Sequence, residues 1–264
     1  MTDPDPTIRA ITFDFGNTLV AVDRAALSTV VRVTGAAAVA QLGPFELEAF
    51  LRAWAEERER QFREEVPQFR EVDLGERAVR VLARLRGMRP PPGDERWDQR
   101  AAADRSTPDE IGWLIDAYSS AFVAAIPPPP TVRVALERLA ANHALAILSN
   151  WPLAATIDRY AEAAGWCPFL RAIVVSQRIG TIKPQPAIFE AARERLGGLD
   201  GRSILHVGDD WQADVVGAAG VGWRTAYVRG MPRDSPLPSS TRDGSVTPDF
   251  EIDDVTDLVG LLGA

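Results

Sequence analysis

The chain has 264 residues, of which 46% are hydrophobic and 25% charged, and its formal net charge is −8. This acidic balance argues against a nucleic-acid partner, because a phosphate backbone requires a basic protein face. No continuous apolar run approaches the ~18 residues of a membrane span, and the first six residues lack a signal-peptide pattern. The single cysteine, Cys167, cannot form an internal disulfide. These features predict a cytoplasmic protein with no membrane partner.

The first half of the chain combines one strand with a long helical region. An apolar run predicts a buried strand over residues 8–14, and the pattern is purely helical from about 21 to 124. Thr107 and Glu110 flank Pro108 in the arrangement of a capping box, which predicts a helix start. The helices of this region are expected at 24–41, 44–66, 74–86 and from 107, with a long loop over 89–106.

After the prolines at 127–130, strands and helices alternate regularly. Such alternation is typical of a Rossmann-like parallel sheet with helices on both faces. The sequence therefore predicts an α/β core from residues 1–20 and 125–264, with an inserted all-helical cap at 21–124. Strands are expected at 144–149, 171–175, 203–208, 224–228 and 250–252, helices at 131–141, 152–164, 185–197, 211–219 and 254–262, and a surface loop at 229–248.

Four apolar stretches that resemble strands end in polar residues. The carboxyl ends of parallel strands meet at one edge of a sheet, where open α/β folds bind ligands. A carboxylate, a hydroxyl, an ammonium and an acidic pair are the parts of a phosphoryl-transfer site. The residues are Asp14, Ser149 with Asn150, Lys183, and Asp209 with Asp210, and Asp214 follows closely.

Lys183 stands out by composition. It is the only lysine among 29 basic residues, and the other 28 are arginines. A position that keeps lysine in such a sequence is expected to require a compact ammonium with rotatable donors instead of a planar guanidinium.

The residue types suggest a covalent mechanism with a metal ion. The Asp14 carboxylate can attack phosphorus and form an aspartyl-phosphate, which divides a slow hydrolysis into two faster steps. Two anions repel each other, so a bridging cation is expected, and Mg²⁺ prefers oxygen ligands such as Asp209. Ser149 and Lys183 can stabilise the phosphoryl oxygens. The expected cofactor is Mg²⁺, and the expected partner is a small phosphate-bearing substrate.

The motifs resemble those of the haloacid dehalogenase-like (HAD) hydrolase superfamily, and the helical insert resembles the cap of its first subfamily. The resemblance implies that Asp14 is the nucleophile and a metal ligand, that Asp209 is a second ligand, and that the Gly16 carbonyl points at the metal. It implies that Asp214 coordinates the metal or orients the site. The matching segments are 14–18, Ser149, 183–189 and 208–214, and the implied phosphate-binding residues are Ser149, Asn150 and Lys183.

One position departs from this resemblance. Phosphatases of the superfamily usually carry a second Asp two residues after the nucleophile, as general acid and base, and here that position is Gly16. A positioned general acid is typically worth ~10²–10⁴-fold in rate. Three interpretations stay open: a Mg²⁺-dependent phosphatase whose acid comes from elsewhere, a 2-haloacid dehalogenase acting through an aspartyl ester, and a binding module with negligible turnover.

Overall fold

The computed structural model describes residues 7–93, 95–230, 232 and 234–264. The first six residues, which carried the expectation about a signal peptide, lie outside that description. Six parallel strands form one sheet in the order β3-β2-β1-β4-β5-β6. The strands are β1 (Ala10–Phe13), β2 (Ala144–Ser149), β3 (Leu170–Val175), β4 (Ile204–Gly208), β5 (Arg224–Val228) and β6 (Phe250–Ile252).

The sheet is buried on both faces, as its continuous apolar strands predict. Ile11 and Phe13 of β1 belong to one apolar cluster, whereas Ala10 belongs to a second one on the opposite face. Strand β1 pairs with β2 on one side and with β4 on the other, so the strand order reverses beside β1. In open α/β sheets such a reversal opens a crevice at the carboxyl ends of the strands.

Among the described residues, five α-helices lie between the end of β1 and residue 126 and form the helical insert. They are α1 (Arg24–Leu42), α2 (Leu47–Glu65), α3 (Leu74–Leu85), α4 (Gln99–Ala103) and α5 (Pro108–Ala125). The capping box of α5 is confirmed, because Glu110 N donates to Thr107 Oγ1 at 3.2 Å and Thr107 N donates to Glu110 at 2.7 Å. The expected loop at 89–106 is partly wrong, since Asp98 caps the short helix α4 by accepting from Ala101 N.

Helix α1 differs from the sequence expectation about membrane spans. By length and composition alone, α1 could cross a membrane, although arginine and small polar residues interrupt its run of apolar residues. One side of α1 packs into the protein core through Val30, Ala38 and Leu42. Length and composition alone do not distinguish a membrane span from a packed helix.

The remaining helices cover the sheet. They are α6 (Pro130–Ala140), α7 (Ala154–Ala163), α8 (Ser176–Ile179), α9 (Pro186–Arg195), α10 (Gly217–Gly220) and α11 (Asp257–Leu261). Helices α6, α7 and α11 contribute to the cluster on one face, and α9 and α10 to the cluster on the other. The expected helix at 211–219 begins as a π-helical turn, Trp211–Val216, before α10.

Aromatic side chains join the inserted helices to the sheet. Phe122 of α5 lies 6.2 Å from Phe15, which follows β1, and 5.4 Å from Trp151, measured between ring centroids. Trp151 is 5% exposed and meets Phe15 edge-on at 5.2 Å. Edge-to-face packing at these distances is favourable and directional. This contact holds the helical insert over the carboxyl edge of the sheet, while the proposed limits of the cap stay a prediction.

Candidate active site

Three acidic side chains meet at the carboxyl edge of the sheet. Asp14 directly follows β1 and Asp209 directly follows β4, while Asp214 lies in the π-helical turn. One carboxylate oxygen from each of the three lies within 4.8 Å of the others. Asp14 and Asp209 are almost two hundred positions apart in the chain, and they meet because β1 and β4 are neighbours in the sheet.

Lys183 places its ammonium between two of these acids. Its Nζ donates to Asp14 Oδ1 at 2.7 Å, to Asp214 Oδ1 at 2.5 Å and to the Leu148 carbonyl at 2.9 Å. All three donors of the ammonium are therefore used, in a site where Lys183 is 2% exposed. The expectation that Lys183 ends a strand is wrong, because it lies in the loop between α8 and α9.

Asn150 holds the backbone of Lys183. Its Oδ1 accepts from Lys183 N at 2.7 Å, and its Nδ2 donates to the Lys183 carbonyl at 3.1 Å. A paired contact of this kind fixes a loop that has no strand ladder to position it. Asn150 thus positions the lysine, and a direct phosphate contact by its side chain stays a prediction.

A chain of buried hydrogen bonds orients Asp214. Its Oδ1 contacts His206 Nε2 at 2.9 Å, and its Oδ2 accepts from Asp210 N at 2.9 Å. His206 Nδ1 lies 2.8 Å from Thr12 Oγ1, so a neutral imidazole protonated on Nε2 satisfies both contacts. Gly208 makes the approach possible, since a Cβ there would lie 2.2 Å from the Asp214 carboxylate. No role was predicted for His206, since its contact with Thr12 joins two strands that are far apart in the chain.

The charges of this cluster do not balance among the described residues. Burial raises the pKa of Asp14, and Lys183 only partly opposes this effect. Burial also raises the pKa of Asp209, which accepts a hydrogen bond from Thr18 Oγ1 at 3.0 Å. In contrast, Lys183 and His206 lower the pKa of Asp214 against the effect of burial. A divalent cation with a preference for carboxylate oxygen fits beside Asp14 and Asp209, the two acids that lack sufficient compensating charge.

The Ser149 hydroxyl is buried next to the Asp14 carboxyl. Ser149 is fully buried at the end of β2, and its Oγ has no hydrogen-bond partner of normal geometry among the described residues. The hydroxyl is nevertheless close enough to the Asp14 carboxyl to lower the pKa of that group. A buried unpaired hydroxyl is costly unless a ligand satisfies it.

A family model described as a haloacid dehalogenase-like hydrolase matches residues 8–222 of this sequence. The match covers strands β1 to β4 and the inserted helices, and ends before β5. The chain belongs to the haloacid dehalogenase-like hydrolases.

Relatives within these hydrolases include phosphatases and dehalogenases. The chain is 28% identical over 127 residues to the pyrimidine 5'-nucleotidase YjjG of Escherichia coli strain K12, an alignment spanning 48% of this chain and 56% of that protein. It is 34% identical over 94 residues to a glyceraldehyde 3-phosphate phosphatase of Methanopyrus kandleri, covering 36% and 39% of the two chains. The 2-haloacid dehalogenase of Pseudomonas syringae pv. Tomato DC3000 superposes with a TM-score of 0.64 at 21% identity, over 97% and 99% of the chains. This last likeness shows the shared haloacid dehalogenase-like fold.

Gly16, the unusual residue for a phosphatase of this hydrolase family, lies under a side chain from a distant loop. A Cβ at position 16 would lie 2.5 Å from Leu237 Cδ1 and 3.1 Å from Trp151 Cζ3. Leu237 therefore occupies space next to the backbone that a second Asp would need. Trp151 packs in the aromatic cluster and also lines the cavity above Asp14.

The loop expected as a surface segment at 229–248 contacts the site directly. Ser240 donates to Asp210 through its backbone N at 2.8 Å and through Oγ at 2.6 Å. Ser235 Oγ accepts from Asn17 Nδ2 at 2.9 Å, and the Pro236 carbonyl accepts from Arg58 of α2 at 3.3 Å. The described part of this loop thus touches both the carboxyl edge of the sheet and the inserted helices. The polar composition of this segment predicted a loop but did not predict its contacts with Asp210, Asn17 and Arg58.

A cavity of about 690 Å³ lies between the carboxyl edge of the sheet and the inserted helices. Its wall near the sheet includes Asp14, Gly16, Lys183 and Asp209, and its far wall comes from α1, α2, α3 and α5. Another depression, of about 790 Å³, lies beside α9 and contains none of these groups. The hydrolase therefore has one described cavity that joins the candidate nucleophile to the helical insert.

Proposed function

We propose that this hydrolase is a Mg²⁺-dependent phosphatase of small organic phosphates that acts through an aspartyl-phosphate. The observation that carries the proposal is the partly buried Asp14 carboxylate, 2.7 Å from the Lys183 ammonium, in a cavity shared with Asp209. No cation among the described residues forms an ion pair with Asp209, which supports a metal ion in the working enzyme. The nucleotidase and the phosphatase among the relatives support a phosphate monoester as substrate.

Each role in the proposed reaction is assigned to a residue of this chain by its geometry and charge. Asp14 and Asp209 are the proposed metal ligands, together with the Gly16 carbonyl. Asp214 accepts three hydrogen bonds from the protein, which favours its role in orienting Lys183 and the site over direct coordination. Bound Mg²⁺ would supply positive charge that offsets repulsion between the carboxylates and the phosphoryl oxygens.

The proposed reaction has two displacements at phosphorus. The free oxygen of Asp14 attacks phosphorus, a new bond forms between that oxygen and phosphorus, and the bond to the leaving oxygen breaks. Lys183 and the Ser149 hydroxyl stabilise the charge on the phosphoryl oxygens during this step. Water then attacks the phosphorus of the aspartyl-phosphate, which releases inorganic phosphate and regenerates the Asp14 carboxylate.

The absence of a carboxyl at position 16 sets the substrate preference in this proposal. With Gly16 at that position, the leaving oxygen takes its proton from solvent or departs as an anion. Esters with acidic alcohols, such as aryl phosphates, are then the better substrates, because their leaving groups need no protonation. The same absence slows the attack of water on the intermediate.

We also propose a cytoplasmic location, with a small phosphate ester as the partner and neither nucleic acid nor membrane. The net charge of −8 and the single cysteine support this view.

The test is release of inorganic phosphate from aryl phosphates and a metabolite panel, with Mg²⁺ and with EDTA. Activity should disappear in Asp14→Asn and in EDTA, but persist in Asp104→Asn, which changes an exposed acid beyond the site. Halide release from a 2-haloacid in EDTA would instead indicate a dehalogenase. Mg²⁺ binding without any turnover would indicate a binding module.

A further inference from the structure

An unpaired arginine faces the cavity from the inserted helices. Arg77 of α3 lines the cavity and is 4% exposed, and its Nη2 is buried without a hydrogen-bond partner among the described residues. Its Nε donates to Gln61 Oε1 at 2.9 Å, and its guanidinium lies 5.6 Å from the centroid of the Trp54 ring. These contacts fix the guanidinium but leave one of its terminal amino groups free.

Other arginines of the same helix are arranged differently. Arg84, seven residues further along α3, forms ion pairs with both Glu56 and Glu57. Arg80 forms ion pairs with Glu64 and Glu76. The sequence therefore pairs the α3 arginines that lie away from the cavity with acids, but not the one that faces it.

No acidic side chain forms an ion pair with Arg77 among the described residues. Burial, with a smaller contribution from Arg58 of the same cavity, lowers the pKa of Arg77 to about 10, although Tyr118, Glu71 and Asp73 oppose this shift. The nearby Glu71 already accepts hydrogen bonds from Ser176 Oγ at 2.5 Å and from Val72 N at 3.0 Å, and burial raises the pKa of Glu71. A buried cation without a counter-ion is costly, so an anionic ligand would be stabilised strongly here.

The surface of the cavity is mainly apolar, and its lining residues include Leu27 and Val31 of α1 and Leu51 and Trp54 of α2. A ligand whose phosphoryl group lies at Asp14 would therefore place an apolar body along these side chains and its far end towards Arg77.

We propose that Arg77, assisted by Arg58, binds a second anionic group of the substrate, either a carboxylate or a second phosphate. This inference rests on the proposed phosphatase function and narrows its substrates to phosphate monoesters whose organic part is itself anionic. Arginine suits this task because its planar donors match the oxygens of both groups.

The test compares three aryl phosphates of similar size: phenyl phosphate, 3-carboxyphenyl phosphate and benzene-1,3-diol bisphosphate. The wild-type kcat/KM should favour one or both anionic esters over phenyl phosphate by at least tenfold. In Arg77→Gln this ratio should fall by about 10- to 100-fold, as expected for lost hydrogen bonds to a charged group. Arg84→Gln, on the same helix but paired outside the cavity, should keep the wild-type ratio. The ester whose preference depends on Arg77 identifies the second anionic group as a carboxylate or as a phosphate.

A binding measurement separates this inference from the proposed function. Benzoate should raise the thermal midpoint of the Asp14→Asn protein but should not do so in Asp14→Asn/Arg77→Gln or Asp14→Asn/Arg77→Lys. Arg77-dependent stabilisation by benzoate, together with no phosphatase activity in the wild-type protein, would reject the phosphatase and keep the anion site. Equal substrate ratios in the wild type, Arg77→Gln and Arg84→Gln, together with no Arg77-dependent stabilisation, would overturn the anion site.

Discussion

Restoring the second carboxyl at position 16 is the sharpest perturbation of the proposed mechanism. A Cβ there would lie 2.5 Å from Leu237 Cδ1, well inside the roughly 3.5–4.0 Å separation of carbon atoms in contact. Gly16→Asp alone therefore requires the Leu237 side chain to move by about 1 Å and Trp151 to shift slightly. Leu237→Ala removes the obstructing atom at a half-buried position.

The expected gain follows from what a general acid contributes. Such a group is worth ~10²–10⁴-fold in rate, which corresponds to about 3–5 kcal/mol of transition-state stabilisation. We expect Gly16→Asp alone to gain less than tenfold on alkyl phosphates. Gly16→Asp/Leu237→Ala should gain about 100-fold, at the low end of that range, because no neighbouring side chains have been selected to position the new carboxyl.

The assay is kcat for a series of phosphate esters whose leaving alcohols differ in acidity. The double variant should gain most on the least acidic alcohols and almost nothing on aryl phosphates, since only the former need a proton. Gly16→Asn/Leu237→Ala is the matched control, with nearly the same shape and no acid. An equal gain in this control, or an unchanged dependence on leaving-group acidity, would refute our account of Gly16.

Three further predictions concern residues around the site and the helical insert. Lys183→Arg should lower kcat by at least 10³-fold, because a planar guanidinium cannot replace an ammonium that donates in three directions, and activity within tenfold of wild type would contradict this geometry. His206→Leu should lower kcat by about 10- to 100-fold in a folded protein, since Asp214 loses a buried donor, and the circular dichroism spectrum checks the fold. Thr107→Ala should reduce the free energy of unfolding, measured in urea, by about 1 kcal/mol through loss of the α5 cap. A reduction of less than a few tenths of a kcal/mol would count against the capping role.

Much of the fold was predictable because its signals are local. Apolar strands separated by helical patterns predicted a parallel sheet, and the observed strand bounds differ from the expected ones by at most two residues. The α5 start was predictable from Thr107 and Glu110, whose side chains act within one helical turn. The helix α4 and the π-helical turn were missed, since short or irregular helices have weak sequence periodicity.

The site was predictable where it depends on strand ends and unpredictable where it depends on loops. Asp14, Ser149 and Asp209 could be brought together because parallel strands end at one edge. Lys183 was found by composition, but its position in a loop was not. The contacts of Leu237 and Arg77 join segments far apart in the chain, and no local pattern indicates such contacts. An unpaired arginine becomes visible only when its neighbours are known.

The most direct test of the central claim is to look for the covalent intermediate on Asp14. The enzyme, turning over an aryl phosphate with Mg²⁺, is quenched in acid, and the peptide that contains residue 14 is examined by mass spectrometry. Because Gly16 provides no base for the second step, we predict that this peptide gains the mass of one phosphoryl group, and that Asp14→Asn shows no such gain. Phosphate release by the wild type without any phosphoryl adduct, or an adduct of equal amount in Asp14→Asn, would contradict the account.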